Sequence, residues 1–142
     1  MITIREATRA DVPDLERVRA LVRENKLSGT IPRERIVEGL ETRGKGWVAV
    51  AEERVVGFCM ADRNEEMIWA LFLLPEWEGR GLGRALLERA VAWLWDQGCT
   101  AIWLSTEAGS RAEGFYERLG WTRIGVTDMG EVRFELRPPP TR

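Results

Sequence analysis

Apolar and polar residues follow two spacings along the chain, and these predict a series of strands and helices. Short alternating or continuous apolar runs are typical of strands, and apolar residues three or four positions apart are typical of amphipathic helices. Strands are predicted at 2–5, 47–51, 55–61, 67–74, 100–106, 121–126 and 131–136. Helices are predicted from Asp11, from Pro32, over 81–97 and from Ser110, with polar loops at 25–30 and 62–66. The order β-α-α-β-β-β-α-β-α-β-β predicts an α+β fold with helices on the faces of a mixed sheet.

Polar residues and glycines mark the expected ends of these elements. Asp11 is of the residue type that caps a helix N-terminus, and Gly98 is of the type that follows a helix. Ser110 and Glu113 have the S-x-x-E spacing of a capping box. The glycines at 44–46 are expected to end the second helix.

Length and composition are those of one globular domain. With 142 residues, of which 44% are hydrophobic and 31% charged, the chain can bury a core of its own. We expect that domain to cover residues 1–137, followed by a flexible tail at 138–142. The net charge of −2 and the lack of a basic cluster argue against a nucleic-acid partner.

Several kinds of site are excluded by residue types that the chain lacks. It has no histidine, which excludes a Ser-His-Asp triad and most catalytic zinc sites, and no metal is expected. The N-terminus has no signal-peptide apolar region, and no apolar run is long enough to cross a bilayer. We therefore expect no membrane partner and a cytoplasmic location. Cys59 and Cys99 lie in apolar runs and are expected to be buried free thiols.

The most informative stretch is 67–87, where a buried strand, a glycine-rich turn and a helix follow one another. Glycines let a ligand approach the backbone closely, and the first turn of a helix presents N–H groups without intrahelical partners. The helix dipole and arginines add positive charge. The residues concerned are Gly79, Arg80, Gly81, Gly83 and Arg84. This arrangement predicts a site for a phosphate or pyrophosphate group.

Two common phosphate-binding patterns do not fit this turn. The chain contains no Gly-Lys-Ser or Gly-Lys-Thr, so a Walker loop is absent. The dinucleotide pattern G-x-G-x-x-G would need a third glycine where the chain has Arg84 or Leu86. A nucleotide-binding oxidoreductase is therefore disfavoured.

Two segments resemble the GNAT family, the Gcn5-related N-acetyltransferases. Residues 78–83, Glu-Gly-Arg-Gly-Leu-Gly, resemble the family's pyrophosphate loop [QR]-x-x-G-x-[GA], with Glu78 in place of glutamine or arginine. Residues 112–121 resemble its A-x-x-[FL]-Y-x-x-x-G-[FW] segment and include Tyr116, the one tyrosine of the chain. The predicted element order is also that of the family. The resemblance implies a mainly antiparallel central sheet and transfer of an acetyl group from acetyl-CoA directly to an amine acceptor.

The resemblance also implies roles for particular residues. The pyrophosphate would lie on the turn, and the pantetheine arm would pair with the backbone of the preceding strand. The implied cofactor-binding residues are Leu71, Phe72, Leu73, Gly79, Arg80, Gly81, Leu82, Gly83 and Arg84. By resemblance, Tyr116 is the general acid that protonates the leaving thiolate. We expect Phe115 to occupy the apolar position of its helix, which leaves Tyr116 for the site, although a core tyrosine is the alternative.

The residue that removes the amine proton is left open by the sequence. Where some relatives have a carboxylate on the strand before the last helix, this chain has Leu104. Glu107, just past that strand, is preferred, and Asp62, Glu65 and Glu66 are the other candidates. Transfer through ordered water is equally compatible with the sequence.

The activity of the whole protein and the placement of its tryptophans are also left open by the sequence. The departures at Glu78 and Gly109, where many relatives have asparagine, keep open a non-catalytic acyl-CoA-binding module of the same fold. Trp69 and Trp103 could line an acceptor pocket or belong to the core. Trp93 and Trp95 cannot both face inward on one helix, so one could be exposed and mark a homodimer contact.

Overall fold

The computed structural model describes residues 1–22 and 31–139 of the chain. The predicted loop at 25–30 and the end of the predicted tail, from residue 140, lie outside these ranges. In the described part, the strands are β1 (Ile2–Glu6), β2 (Gly44–Ala51), β3 (Arg54–Asp62), β4 (Met67–Leu73), β5 (Ile102–Glu107), β6 (Thr122–Val126) and β7 (Glu131–Leu136). The helices are α1 (Val12–Val22), α2 (Arg33–Glu41), α3 (Leu82–Asp96) and α4 (Arg111–Arg118). The predicted α+β class and element order are confirmed.

The strands form one mainly antiparallel sheet in the order β1-β2-β3-β4-β5-β7-β6. The exception is the parallel pair β4 and β5, for which the described residues pair at a single position, Met67 opposite Trp103. The Trp103 backbone N–H donates to the Glu66 carbonyl at 3.1 Å, and its indole Nε1 donates to the Glu65 carbonyl at 2.9 Å. Beyond this point the two strands separate, and their carboxyl-terminal halves border an opening in the sheet.

Helices cover both faces of the central strands. Phe58 and Met60 of β3 lie with residues of α1 and α2 around a small apolar cavity. Trp47, which is opposite Cys59 in the ladder, packs edge to face on Trp93 of α3, with 6.0 Å between ring centroids. Because successive strand residues point to opposite faces, α3 lies on the face opposite α1 and α2. None of the helices described here is both long and apolar enough to span a membrane.

Tertiary partners overturn the expected roles of Asp11 and of the glycines at 44–46. Asp11 does not cap α1; it ends the 3-10 turn Arg9–Asp11, and its carboxylate accepts bonds from the Thr8 backbone N–H and the Arg5 guanidinium. The bond from Arg5 is the main cause that lowers the pKa of Asp11. Gly44 is instead the first residue of β2. It lies so close to β3 that a side chain there would be only 1.8 Å from the carbonyl oxygen of Ala61.

Neither Trp93 nor Trp95 is exposed, although the sequence left that possibility open for one of them. Both indoles are half-buried and pack against the core. Trp93 contacts Trp47, and the Arg63 guanidinium lies 5.8 Å from its ring centroid. A bulky indole at the edge of a helix face covers core atoms without being fully enclosed.

We predict that Gly44→Ala destabilises the protein, since its Cβ would overlap the backbone of β3. The expected loss is about 1–3 kcal/mol in the free energy of unfolding, the range for overpacked interiors. Denaturant unfolding of the variant would measure it. Gly125→Ala is the matched control, because it is the same change in a strand with no atom within 4 Å of the added Cβ. Equal stability of the two variants would contradict the prediction.

Candidate active site

The opening between β4 and β5 forms the larger of two adjoining grooves, with a volume of about 760 Å³. Its walls are β4, β5 with the turn that follows, α4, and the turn between β6 and β7. The second groove, of about 390 Å³, lies between the end of β4, the glycine turn and α4. The residues that line both grooves are Val22, Leu71, Phe72, Ala112 and Tyr116. The two grooves therefore meet along a boundary that includes Tyr116, and we call them the larger and the smaller groove.

The glycine turn has the backbone that the sequence suggested. A 3-10 turn, Pro75–Trp77, ends β4, and Gly79 and Gly81 then have φ values of 77° and 81°. Gly81 is the N-cap of α3, and no atom lies within 4 Å of the position that a side chain would take there. Left-handed φ values favour glycine because they cost other residues about 1–2 kcal/mol. The first turn of α3 thus presents its N–H groups to the smaller groove.

The structure brings most of the sequence-predicted cofactor-binding residues to this groove. Its lining includes Leu71, Phe72, Leu73, Gly79, Gly81, Leu82, Gly83 and Arg84. Arg80 is not part of that lining, and its guanidinium packs over the Trp77 ring at 4.5 Å. The Leu82 side chain is buried in the core, so this residue can offer a ligand its backbone only.

Two arginines of this groove were missed by the sequence reasoning. Arg111 and Arg118 of α4 line it beside Arg84, and Arg111 pairs with Glu78. Their separation of seven residues places them on one helical face, a signal that the sequence contains. Gly114 leaves room for Arg118, since a side chain there would lie 3.1 Å from its Nη1 atom. The groove thus combines backbone donors with three guanidinium groups.

Tyr116 is the buried residue of α4, which contradicts the expectation that Phe115 fills that place. The Tyr116 ring packs against Phe115, Trp121 and Phe134, with ring centroids 5.2, 5.8 and 5.8 Å apart. Because α4 packs against β5 and β6, the tyrosine faces the sheet while Phe115 stays half-buried at the smaller groove. Desolvation of the phenol, with a smaller contribution from Cys59, raises the pKa of Tyr116 well above its ordinary value.

One acidic candidate lies at the larger groove and the others do not. Glu107 ends β5 and lines this groove, opposite Glu131 in the β5–β7 ladder. Glu131 lines it too and accepts a bond of 2.8 Å from the Ser105 hydroxyl. Asp62 is fully buried, and its carboxylate accepts the Arg43 Nε–H at 2.9 Å. The side chains lining the larger groove include neither Asp62, Glu65 nor Glu66.

The predicted capping box at the start of α4 is replaced by other contacts. The Ser110 hydroxyl donates to the Glu107 carbonyl at 2.7 Å instead of accepting a bond from α4. Glu113 accepts the backbone N–H of Gly109 and pairs with Arg123 at 3.1 Å. These bonds tie the end of β5 to α4 and place Glu107 at the rim of the larger groove.

The two candidate pocket tryptophans are separated by the structure. Trp69 lines the larger groove, with the Arg35 guanidinium 4.6 Å from its ring centroid. Trp103 is not part of that lining, and its ring lies under the Arg133 guanidinium at 4.2 Å. The part of the chain that the structure describes contains no group of three or more side chains that could hold a metal ion.

Comparison with known sequences now places the chain in a family. The sequence profile described as "Acetyltransferase (GNAT) family" matches residues 13–121. The chain therefore belongs to the GNAT family of acetyltransferases. Among curated proteins, it is 24% identical over 79 residues to the [ribosomal protein bS18]-alanine N-acetyltransferase of Haemophilus influenzae, a match that covers 54% of each chain. The chain spans about half the length of the curated relatives it matches.

Solved structures show the same fold over nearly the whole chain. The PaiA N-acetyltransferase of Thermoplasma acidophilum, in complex with coenzyme A, has a TM-score of 0.82 and 18% identity, and the match covers 97% of this chain and 99% of that one. The YncA protein of Salmonella typhimurium with its cofactor acetyl-CoA has a TM-score of 0.80 and 18% identity, covering 100% and 96%. At these identities the likeness establishes the fold.

We predict that the phenol of Tyr116 does not ionise in the folded protein near pH 10, about its reference pKa. Folding raises the pKa of Tyr116, so as the pH rises the unfolded chain releases this proton at a lower pH than the folded protein does. The contribution of Tyr116 to the free energy of unfolding is therefore fully present below about pH 10 and is lost as the pH rises further. Phenolate absorbance measures this directly, because the chain has one tyrosine. Tyr116→Phe should lose the absorbance change and that part of the alkaline destabilisation. A native transition centred near pH 10 would contradict the burial argument.

Proposed function

We propose that this protein transfers the acetyl group of acetyl-CoA directly to an amine. The observation that carries the proposal is the meeting of the two grooves at Tyr116. The smaller groove is lined by backbone amides and arginines of the kind that bind phosphates, and the lining of the larger groove includes the carboxylates of Glu107 and Glu131. One groove therefore suits an anionic donor and the other a cationic acceptor. The family and the relatives named above as N-acetyltransferases support this assignment.

In this proposal the smaller groove binds the nucleotide end of acetyl-CoA. The amides of the turn and the first residues of α3, from Gly79 to Arg84, would hold the diphosphate. Leu71 and Phe72 line both grooves and Leu73 lines the smaller one, and the backbone of all three would accompany the pantetheine arm toward Tyr116. The complexes of PaiA with coenzyme A and of YncA with acetyl-CoA support this choice of donor.

For this reaction the protein must hold the two reactants together and transfer two protons. The acyl carbon of the thioester forms a bond to the amine nitrogen, and the bond between that carbon and sulfur breaks. Tyr116 would donate its phenolic proton to the departing sulfur, whose thiol has a reference pKa of about 8.5. A phenol is protonated at neutral pH and burial raises the pKa of Tyr116 further, so the donor is in its required state. Glu107 would accept the amine proton, directly or through water. Holding both reactants at one point supplies a large part of the rate.

The acceptor class and the setting of the protein are part of the same proposal. Glu107 and Glu131 line the larger groove and favour an acceptor that arrives as a cation, as small-molecule and peptide or protein amines do. The free, buried cysteines are typical of a reducing compartment and support a cytoplasmic location. Ile124 and Val126 are exposed on the edge strand β6, which supports a homodimer through this edge.

Calorimetric titration with acetyl-CoA, with NAD and ATP as comparison ligands, tests the cofactor assignment. We expect acetyl-CoA to bind selectively and Gly81→Glu to weaken its binding by about a hundredfold or more, because a carboxylate would face the diphosphate. Gly98→Glu is the matched control, since Gly98 has a similar φ of 90° and also an open side-chain position, at the far end of α3. Selective binding of NAD, or equal affinity of both variants for acetyl-CoA, would overturn the assignment.

For Tyr116→Phe we expect kcat to fall by about 100-fold or more, the range for loss of a general acid, with little change in acetyl-CoA affinity. Release of free thiol in the presence of an amine panel measures turnover. The folded core should tolerate the change, since Phe keeps the ring contacts of Tyr116. An unchanged kcat, with chemistry shown to be rate-limiting, would assign Tyr116 to packing alone. Binding of acetyl-CoA without thiol release from any amine would favour the non-catalytic module.

A further inference from the structure

We propose that Arg111 is a ligand of the coenzyme A diphosphate, and that Glu78 holds Arg111 at the smaller groove until the diphosphate replaces the glutamate. The inference rests on the proposed function, because it requires coenzyme A in this groove. It concerns two residues outside the predicted set of phosphate ligands, one of them the residue at which the turn departs from the family pattern.

The ion pair between these residues bridges the smaller groove. Glu78 lies immediately before the glycine turn, and Arg111 is the first residue of α4, on the opposite wall. The Arg111 Nη1 atom donates to the Glu78 Oε1 atom at 3.0 Å. Both residues line the groove together with Gly79, Gly81 and Gly83. The guanidinium is therefore held beside the backbone donors that the diphosphate would use.

Exposure makes this pair easy to exchange. The Arg111 side chain is 89% exposed and that of Glu78 is 44% exposed, and an exposed ion pair contributes little to stability. A diphosphate carries more charge than a carboxylate and can accept two parallel bonds from a guanidinium. It would also be held by the amides of the turn, which a flexible glutamate side chain does not engage here. The diphosphate is thus the stronger partner for Arg111.

The other charges of the groove make Glu78 the group that opposes the ligand. Among the described residues that line it, Glu78 is the one acidic side chain, beside Arg84, Arg111 and Arg118. Arg84 has a separate partner on its own helix, Glu88, at 3.1 Å. A carboxylate next to a bound diphosphate is unfavourable, and the bonds that Arg111 makes to the diphosphate after leaving Glu78 compensate for it. Glu78 therefore lowers the affinity for coenzyme A while it keeps Arg111 in place.

The test is calorimetric titration of coenzyme A into the full chain and into Glu78→Gln, Arg111→Gln and the double variant. We expect Glu78→Gln to bind about two- to tenfold more tightly and Arg111→Gln to bind about tenfold more weakly. The gain from Glu78→Gln should shrink in the Arg111→Gln background, because the released arginine is then missing. Glu76→Gln and Arg89→Gln are controls that make the same charge changes at exposed residues outside the groove lining, and they should bind like the wild type.

Dephospho-coenzyme A, which keeps the diphosphate and lacks the 3′-phosphate, identifies the partner of Arg111. The effects of the variants should persist with this ligand, and their restriction to coenzyme A would overturn the diphosphate assignment. Weaker binding of coenzyme A by Glu78→Gln would overturn the proposed replacement of Glu78 by the diphosphate, since the intact ion pair would then contribute to holding the cofactor. If the wild type binds coenzyme A and none of the variants changes the affinity, only this inference is overturned. If the wild type does not bind coenzyme A, the proposed function is overturned as well.

Discussion

The contact on which the rest of the structure depends is the pairing of β4 and β5, which the described residues make at one position, Met67 opposite Trp103. Antiparallel ladders on either side hold each strand, so the two can separate beyond this point without loss of the sheet. The bonds from Trp103 to the carbonyls of Glu65 and Glu66 close the near end of the opening. Backbone groups that border such an opening are obligatory hydrogen-bonding groups, which suits them to an amide-bearing ligand.

The packing that keeps this opening in shape also sets the chemistry beside it. α4 packs against β5 and β6 and buries Tyr116 between Phe115, Trp121 and Phe134, so one side chain is both a core residue and part of both grooves. Burial raises its pKa and retains its proton. The core interpretation and the functional interpretation of this tyrosine are therefore compatible, because the ring packs in the core and the residue also lines both grooves.

Short-range polar signals were less reliable than hydrophobic spacing as a guide to this fold. Periodicity predicted the order of the elements and the bounds of β7, because burial on one face is averaged over many residues. The cap assigned to Asp11 and the capping box of Ser110 failed, because each polar side chain found another partner: Arg5 in the first case and the Glu107 carbonyl in the second. When a polar residue has several potential partners, the one it bonds to depends on which of them the fold brings close.

The sequence by itself determined the class of the fold, the glycine turn before α3 and the single tyrosine in a family-like segment. These follow from local properties: apolar spacing, the backbone freedom of glycine at Gly79 and Gly81, and the identity of the residues. Only the tertiary structure decided that Arg80 packs on Trp77, that Arg111 and Arg118 line the smaller groove, and that Asp62 is buried beside Arg43. The reason is that a long charged side chain can reach several partners, and the neighbours it meets come from strands and helices distant in sequence.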